Sequence, residues 1–233
     1  MWRKHAPNPR FEPTGLPSVG LRLKRRSLAC FSSSWFDENQ QIYQAEVNAL
    51  RRFVPETGLG VEIGVGTGRF STPFGIRIGV EPSRNMAQIA KTRNILVCQA
   101  IGERLPFRDA QFDFALLVTV VCFVKDVASL LHEVRRVIKV GGKVIIGFID
   151  KDSALGQLYE SRKDADKFYK EAHFYSAPEI VAFVRQVGLG ELQICQTLIG
   201  FPNNSATTYQ VYAGYGEGAF VVVSATKLIG DKV

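Results

Sequence analysis

The chain has 233 residues, 46% of them apolar, and a formal charge of +7. That length supports one globular domain with a sizeable core and leaves little room for a second full one. The longest apolar run, Phe114 to Val124, is broken only by Thr119 and reaches about half of the ~20 residues that span a bilayer, so no transmembrane helix is expected.

The charge is uneven. Residues 1–34 hold seven Lys or Arg (Arg3, Lys4, Arg10, Arg22, Lys24, Arg25, Arg26) against one acid, Glu12, for +6. The other 199 residues carry about +1, so the body is not the basic surface of a nucleic-acid binder. Residues 1–34 read as a flexible basic extension, rich in Pro, Gly, Arg and Ser without apolar periodicity. A transit peptide, a lipoprotein site at Cys30 and a twin-arginine signal compete with that reading. The first lacks an amphipathic helix and the others lack an apolar stretch. The four cysteines, Cys30, Cys98, Cys122 and Cys195, show no CxxC spacing. They read as small hydrophobes in a reducing compartment, hence a cytoplasmic protein. The three histidines are scattered and no metal site is expected.

Residues 35–233 are expected to fold as the working domain. Ile42, Tyr43, Val47, Leu50 and Val54 recur at helical spacing until Pro55. VEI then forms a short buried strand, followed by a loop with glycines at 64, 66 and 68. IRIGV is a second strand, ended by Glu81-Pro82, after which Ser83 can cap a helix to about Lys91. ILVCQA is the third strand and FDFALLVTVVCFV the fourth. Val127, Leu130, Leu131, Val134, Val137 and Ile138 line one helical face, which Gly141-Gly142 is expected to end. KVIIGFI is the fifth strand. Ser176 and Glu179 form a capping box for a helix to Val187. LQICQTLI and AFVVVSATKL are late strands, expected as an antiparallel hairpin. Strands alternating with helices predict an α/β doubly wound, mostly parallel seven-stranded sheet of Rossmann-like type. Its ligand should lie beyond the carboxyl ends of the strands at the switch point, where the glycine loop falls.

Gly64, Gly66 and Gly68 read GxGxG, not the dinucleotide GxGxxG, and there is no GK[ST]. Glu81, seventeen positions after Gly64, ends the next strand, where a carboxylate can accept from both hydroxyls of an adenosine ribose. Only seven residues, Arg69 to Gly75, separate the loop from the second strand. A long helix N-terminus for a pyrophosphate does not fit there. Glu62 places an acid beside the loop, which disfavours a phosphate and favours an ammonium group. An adenosine compound with a cationic amino end is S-adenosyl-L-methionine. A nicotinamide-dependent oxidoreductase is the competing reading, which the glycine spacing and Glu62 oppose.

These residues resemble the class I S-adenosylmethionine-dependent methyltransferases, among which the ubiquinone and menaquinone biosynthesis enzymes are typical relatives. EIGVGTG is similar to the first motif and GVEPS to the second. AIGERLPFRDAQFDFALL, HEVRRVIKVGGKVII and AHFYSAPEIVAFVRQVGL resemble the later segments in order. The resemblance implies S-adenosylmethionine as cofactor and S-adenosyl-L-homocysteine as product. It implies cofactor contacts from Glu62, Gly64, Val65, Gly66, Gly68, Glu81, Pro82, Met86, Ile101, Gly102, Glu103 and Thr119. The chain departs from the pattern where Ile101 stands in place of an acid that reads the adenine, and where Cys122-Phe123 replaces paired histidines.

Methyl transfer is an in-line displacement. The cofactor brings the reactivity, and holding acceptor and methyl group in line contributes roughly 7–11 kcal/mol. The acceptor is expected over the fourth-strand exit, against Trp35, Tyr43, Cys122, Phe123, Tyr159 and Tyr169, with Trp35, Phe36 and Tyr43 as a lid. The segment carrying Tyr159, Phe168, Tyr169 and Tyr175 reads as a substrate-covering insertion, or as packing. Cys122 as a nucleophile, His173 as a base, and Tyr43 are the catalytic candidates, each weighed against a structural role. The Asn/Asp-Pro-Pro-Tyr motif of nucleic-acid amino-methylating enzymes is absent. A small-molecule acceptor is therefore expected instead of nucleic acid, in a monomer or homodimer. An RNA methyltransferase using the basic tail and a non-catalytic S-adenosylmethionine-binding protein are the alternatives.

Overall fold

The computed structural model describes residues 37–165, 169–202 and 209–229. The basic extension, Trp35, Phe36 and Phe168 lie outside the described residues. Eight strands form one sheet in the order β3-β2-β1-β4-β5-β8-β6-β7. They are β1 Gly60–Ile63, β2 Ile78–Val80, β3 Leu96–Cys98, β4 Phe112–Val118, β5 Ile138–Ile149, β6 Leu189–Ile199, β7 Tyr212–Ala213 and β8 Gly218–Lys227. The first five pair in parallel. β8 runs antiparallel between β5 and β6. The expected seven strands are therefore present, and β7, a two-residue pairing against Cys195 and Gln196, is an eighth.

Among the described residues the sheet is flanked by α1 Gln40–Arg51, α2 Arg84–Thr92, α3 Val127–Val137, α4 Ala154–Arg162 and α5 Ala177–Gln186. One face carries α3 and α5, whose Leu130, Leu131, Val134, Ile180 and Val184 are buried with Ile63, Leu117 and Ile146. The other carries α1, whose Ile42, Ala49 and Leu50 are buried with Leu116, Val118, Ile145, Phe220 and Val222. Burial on both faces is why these strands read as apolar runs without alternation.

The glycine pair at 141–142 departs from expectation. It does not end α3, which stops at Val137, but lies inside β5. Phe112 pairs with Ile138 and Phe114 with Lys143, so the ladder takes up the extra residues there. Gly141 has φ 76°, and a Cβ on Gly142 would stand 2.9 Å from the Asp113 carbonyl oxygen. The glycines allow a bulge, and the helix stops because the chain turns directly into a strand.

Candidate functional site

The site lies where β1, β2, β3 and β4 end. Gly64 and Val65 leave β1 and donate their amides to Val80 O of β2, at 2.8 and 2.9 Å. Gly64, Gly66 and Gly68 all have positive φ, 72°, 54° and 81°, which L-residues with side chains rarely adopt. A Cβ on Gly68 would overlap Ile95 Cδ1, so that glycine serves packing. A Cβ on Gly66 would meet nothing nearer than Gly64 O at 3.9 Å. Gly66 thus borders open space, and its backbone is free to approach a ligand.

Glu81 follows β2 and is 6% exposed. Its Oε2 accepts from Gly66 N at 2.9 Å and its Oε1 from Ser83 N at 2.8 Å. The acid is clamped by two amides, and each oxygen keeps lone-pair capacity for another donor. Burial raises its carboxyl above the usual range, against those two hydrogen bonds. The cradle at Gly66 and this clamped carboxylate fit a diol-bearing nucleoside such as S-adenosylmethionine.

Glu62 sits below the loop in β1, 1% exposed, and accepts a hydrogen bond from the Ser71 hydroxyl. Burial pushes its carboxyl up to about 8, with Ser71 pulling down and Glu81 adding to the rise. Burial thus favours the protonated form of Glu62 over the negative charge expected from the sequence. Ser71 opens the 3₁₀ turn Thr72–Phe74 that replaces a long first helix.

At the β3 exit Ile101 is 53% exposed. A Cβ on Gly102 would meet Leu130 Cδ1 at 2.5 Å and Ile63 Cγ2 at 3.3 Å, so this glycine lets α3 close on β1. Glu103 accepts from Lys125 N at 3.0 Å, tying the β3 exit to the β4 exit. Met86 is half-buried in the first turn of α2 and donates its amide to Ser83 Oγ, while Pro82 is exposed.

At the β4 exit Thr119 has φ 53°, a strained conformation for a β-branched residue. Its amide donates to Gly147 O at 2.8 Å and its hydroxyl to Val118 O at 2.8 Å. The 3₁₀ turn Val121–Phe123 follows. There Cys122 is buried with Ala172 and Phe174, and Tyr159 and Tyr169 pack against them. Tyr169 stacks on Tyr159 at 4.8 Å and on Phe123 at 6.0 Å between ring centroids. Four of the expected acceptor-contacting residues, Cys122, Phe123, Tyr159 and Tyr169, are thus one cluster. Tyr43 borders the glycine loop, with its hydroxyl donating to Arg69 O at 2.7 Å and its ring edge-on to Phe70.

The catalytic candidates fare differently. Burial pushes the Cys122 thiol up to about 12, and its Sγ donates to Thr119 O. Burial on this scale disfavours the thiolate, which is the nucleophilic form. His173 is exposed, its ring packs edge-on to Tyr175, and its amide donates to Cys122 O. Burial raises the Tyr43 hydroxyl, opposed by Arg69. Among the described residues no cluster of His, Cys, Asp or Glu is arranged to hold a metal.

Sequence reading missed three contributors. Ser71 is the partner of Glu62. Arg93 donates to Thr67 O at 2.8 Å and fastens α2 to the loop. Glu46 is an acid on the buried face of α1, detectable because Ile42, Glu46 and Leu50 recur at i, i+4, i+8.

A family model described as a methyltransferase domain matches residues 61–146. An uncharacterized protein of Methanocaldococcus jannaschii is 48% identical over 194 residues, 83% of this chain and 94% of that one. A crystal structure from Thermotoga maritima, described as an S-adenosylmethionine-dependent methyltransferase and possible histamine N-methyltransferase, is 44% identical. It superimposes with a TM-score of 0.82 over 86% of this chain and 96% of its own. The Haemonchus contortus phosphoethanolamine N-methyltransferase 2 complex with S-adenosylmethionine shares the fold at 18% identity, with a TM-score of 0.59 over 85% of this chain and 56% of that one.

Proposed function

The chain belongs to the class I S-adenosylmethionine-dependent methyltransferases, and from that premise we propose that it methylates a small molecule held over the β4 exit. The observation that carries this reading is the aromatic cover. Tyr159 of α4, Tyr169 and Phe174 gather over Cys122 and Phe123. A roof so close to the strand ends suits a small acceptor better than a polymer. The description of the Thermotoga maritima relative as a possible histamine N-methyltransferase supports the same class.

The residues divide the work as follows. Glu81 accepts the ribose hydroxyls while its own amide clamps keep it in place. Gly64 to Gly68 let the backbone lie close to the amino-acid end of the cofactor. Glu62, its proton released to solvent, would pair as a carboxylate with that end's ammonium group. Thr119, held by Gly147 O and Val118 O, sets the floor at the β4 exit, and Tyr159 and Tyr169 exclude water. When bound, S-adenosylmethionine supplies an electrophilic methyl group. The chain's contribution is orientation and dryness, and no general base is required of it for an acceptor that attacks as a free base.

Methyl transfer from labelled S-adenosylmethionine to panels of small amines, thiols and phenols, with total RNA and protein in parallel, tests the reading. Label in a small product supports it. Label only in RNA or protein overturns it, and no label with any acceptor favours a binding protein without catalysis.

A further inference from the structure

Ser71 stands just before the 3₁₀ turn Thr72–Phe74, where a serine hydroxyl commonly accepts from an amide of the turn. Its side chain makes no such bond. It donates instead to Glu62 Oε2, nine residues back in β1. Both residues are buried, Ser71 at 0% and Glu62 at 1% exposure. A hydroxyl turned away from its local cap and toward a buried carboxyl serves something other than the turn.

The sheet fixes one end of the pair. Val61 and Ile63 are buried on the face that carries α3 and α5. Side chains alternate along a strand, so Glu62 projects to the opposite face, where its β4 partner Leu116 shares a core with Phe70 and Ile76. Its β2 partner is Gly79, which has no side chain to offer. The loop fixes the other end. Ser71 O accepts from Phe74 N at 3.2 Å and from Ile76 N at 3.1 Å. Thr72, next in the chain, donates its hydroxyl to Gly68 O at 2.9 Å and its amide to the same oxygen at 3.3 Å. The turn is thereby tied to the last glycine of the loop, and Glu62 is aimed from the loop side. The Ser71 amide pulls the carboxyl down together with the hydroxyl, against burial. A carboxylate offers about four lone-pair sites, so a ligand ammonium can join the serine without displacing it.

We propose that Ser71 is a positioning residue for Glu62: it aims the carboxylate at the ammonium group of the cofactor's amino-acid end, and so sets the preference of the site for adenosyl ligands that carry that end over those that lack it. This rests on the pairing role given to Glu62 above. A serine that only packs the turn supports every adenosyl ligand alike. A serine that aims Glu62 supports only ligands with an ammonium group, because a charge-assisted hydrogen bond depends on the direction of its acceptor.

Calorimetric titration with two ligands tests this: S-adenosylhomocysteine, which carries the ammonium group, and 5′-methylthioadenosine, which lacks the amino-acid end. The proteins compared are wild type, Ser71→Ala, the near-isosteric Ser71→Cys with its weak thiol donor, Glu62→Gln, and Glu62→Gln combined with Ser71→Ala. Thermal unfolding of each accompanies the titrations. The expected result is a loss of S-adenosylhomocysteine affinity of at least five-fold in Ser71→Ala and in Ser71→Cys, with methylthioadenosine affinity within two-fold of wild type. In the Glu62→Gln background the added Ser71→Ala changes S-adenosylhomocysteine affinity by less than two-fold. Equal weakening of both ligands by the Ser71 variants overturns the proposal, as does full S-adenosylhomocysteine affinity in them while Glu62→Gln is weakened. Full affinity in Glu62→Gln as well overturns the pairing role of Glu62 together with it.

Discussion

The amide of Gly66 donates to Glu81 Oε2 at 2.9 Å, so the acid that ends β2 also fixes the loop that follows β1. Glu81→Gln keeps the size of the side chain but leaves one acceptor oxygen where two amides need one each. A carboxamide nitrogen would face an amide proton, and the clamp must open. We expect S-adenosylhomocysteine affinity to fall at least ten-fold, about 1.4 kcal/mol, with a smaller change in melting temperature. Calorimetric titration beside thermal unfolding checks both. Unchanged affinity would remove Glu81 from the cofactor site.

The glycines at 66 and 68 separate binding from folding. Gly66→Ala adds a Cβ into open space at φ 54°, so its folding cost is the left-handed conformation, roughly 1–2 kcal/mol. The same methyl group occupies the place where the ligand must approach. Gly68→Ala adds a comparable strain and also drives a Cβ into Ile95, so it loses more stability. Urea unfolding should rank Gly68→Ala below Gly66→Ala. Cofactor titration of the folded protein should find the larger affinity loss in Gly66→Ala. The reverse order in both would mean that Gly66 packs and Gly68 binds.

The alternation of VEI, IRIGV and FDFALLV with amphipathic stretches was readable because both faces of those strands contribute to the two main cores, and ILVCQA was readable from its apolar run although β3 is an edge strand with Leu96 73% exposed. The short path from Gly68 to β2 was readable too, because seven residues leave no room for a long helix. Three features were hidden for physical reasons. β7 is two residues long, and its pairing to Cys195 and Gln196 is fixed by tertiary position, not by local pattern. Gly141-Gly142 carries the same signal whether it ends a helix or forms a bulge, and only the register of β4 against β5 decides. The charge state of Glu62 depends on burial under a loop closed by Ser71, nine residues away.

Cys122 should be chemically quiet. Its thiol is pushed up to about 12 by burial and lies under Tyr159, Tyr169 and Phe174. Cys122→Ala is expected to leave kcat within about three-fold of wild type, where loss of a true nucleophile would abolish turnover. Alkylation by iodoacetamide at pH 7.5 should be at least ten-fold slower at Cys122 than at the half-buried Cys98, read by peptide mass mapping. Rapid, activity-linked labelling of Cys122 would reinstate it as a catalytic thiol.

Stability should fall as pH rises through neutrality. Glu46 and Glu62 are each raised from 4.5 to about 8 in the folded protein. Burial raises Glu81 and Asp150 in the same direction. Between about pH 4.5 and 8 the unfolded chain has released protons that the native state still holds, so the native state loses ground with each unit of pH. The lowered carboxyls, Asp113, Asp126, Glu133 and Glu179, act the opposite way, but below their unfolded values and therefore at more acid pH. We expect unfolding free energy from urea titrations of the ligand-free protein to drop by on the order of 1 kcal/mol per unit between pH 5.5 and 7.5. Glu62→Gln and Glu46→Gln should each flatten that slope, because neither variant has a proton to hold. Saturating S-adenosylmethionine should flatten the share that belongs to Glu62, since pairing with an ammonium group returns the carboxyl to its charged form. A midpoint that climbs with pH over this interval would mean that both acids are ionised in the native state. The pairing role assigned to Glu62 would then begin from a carboxylate already in place.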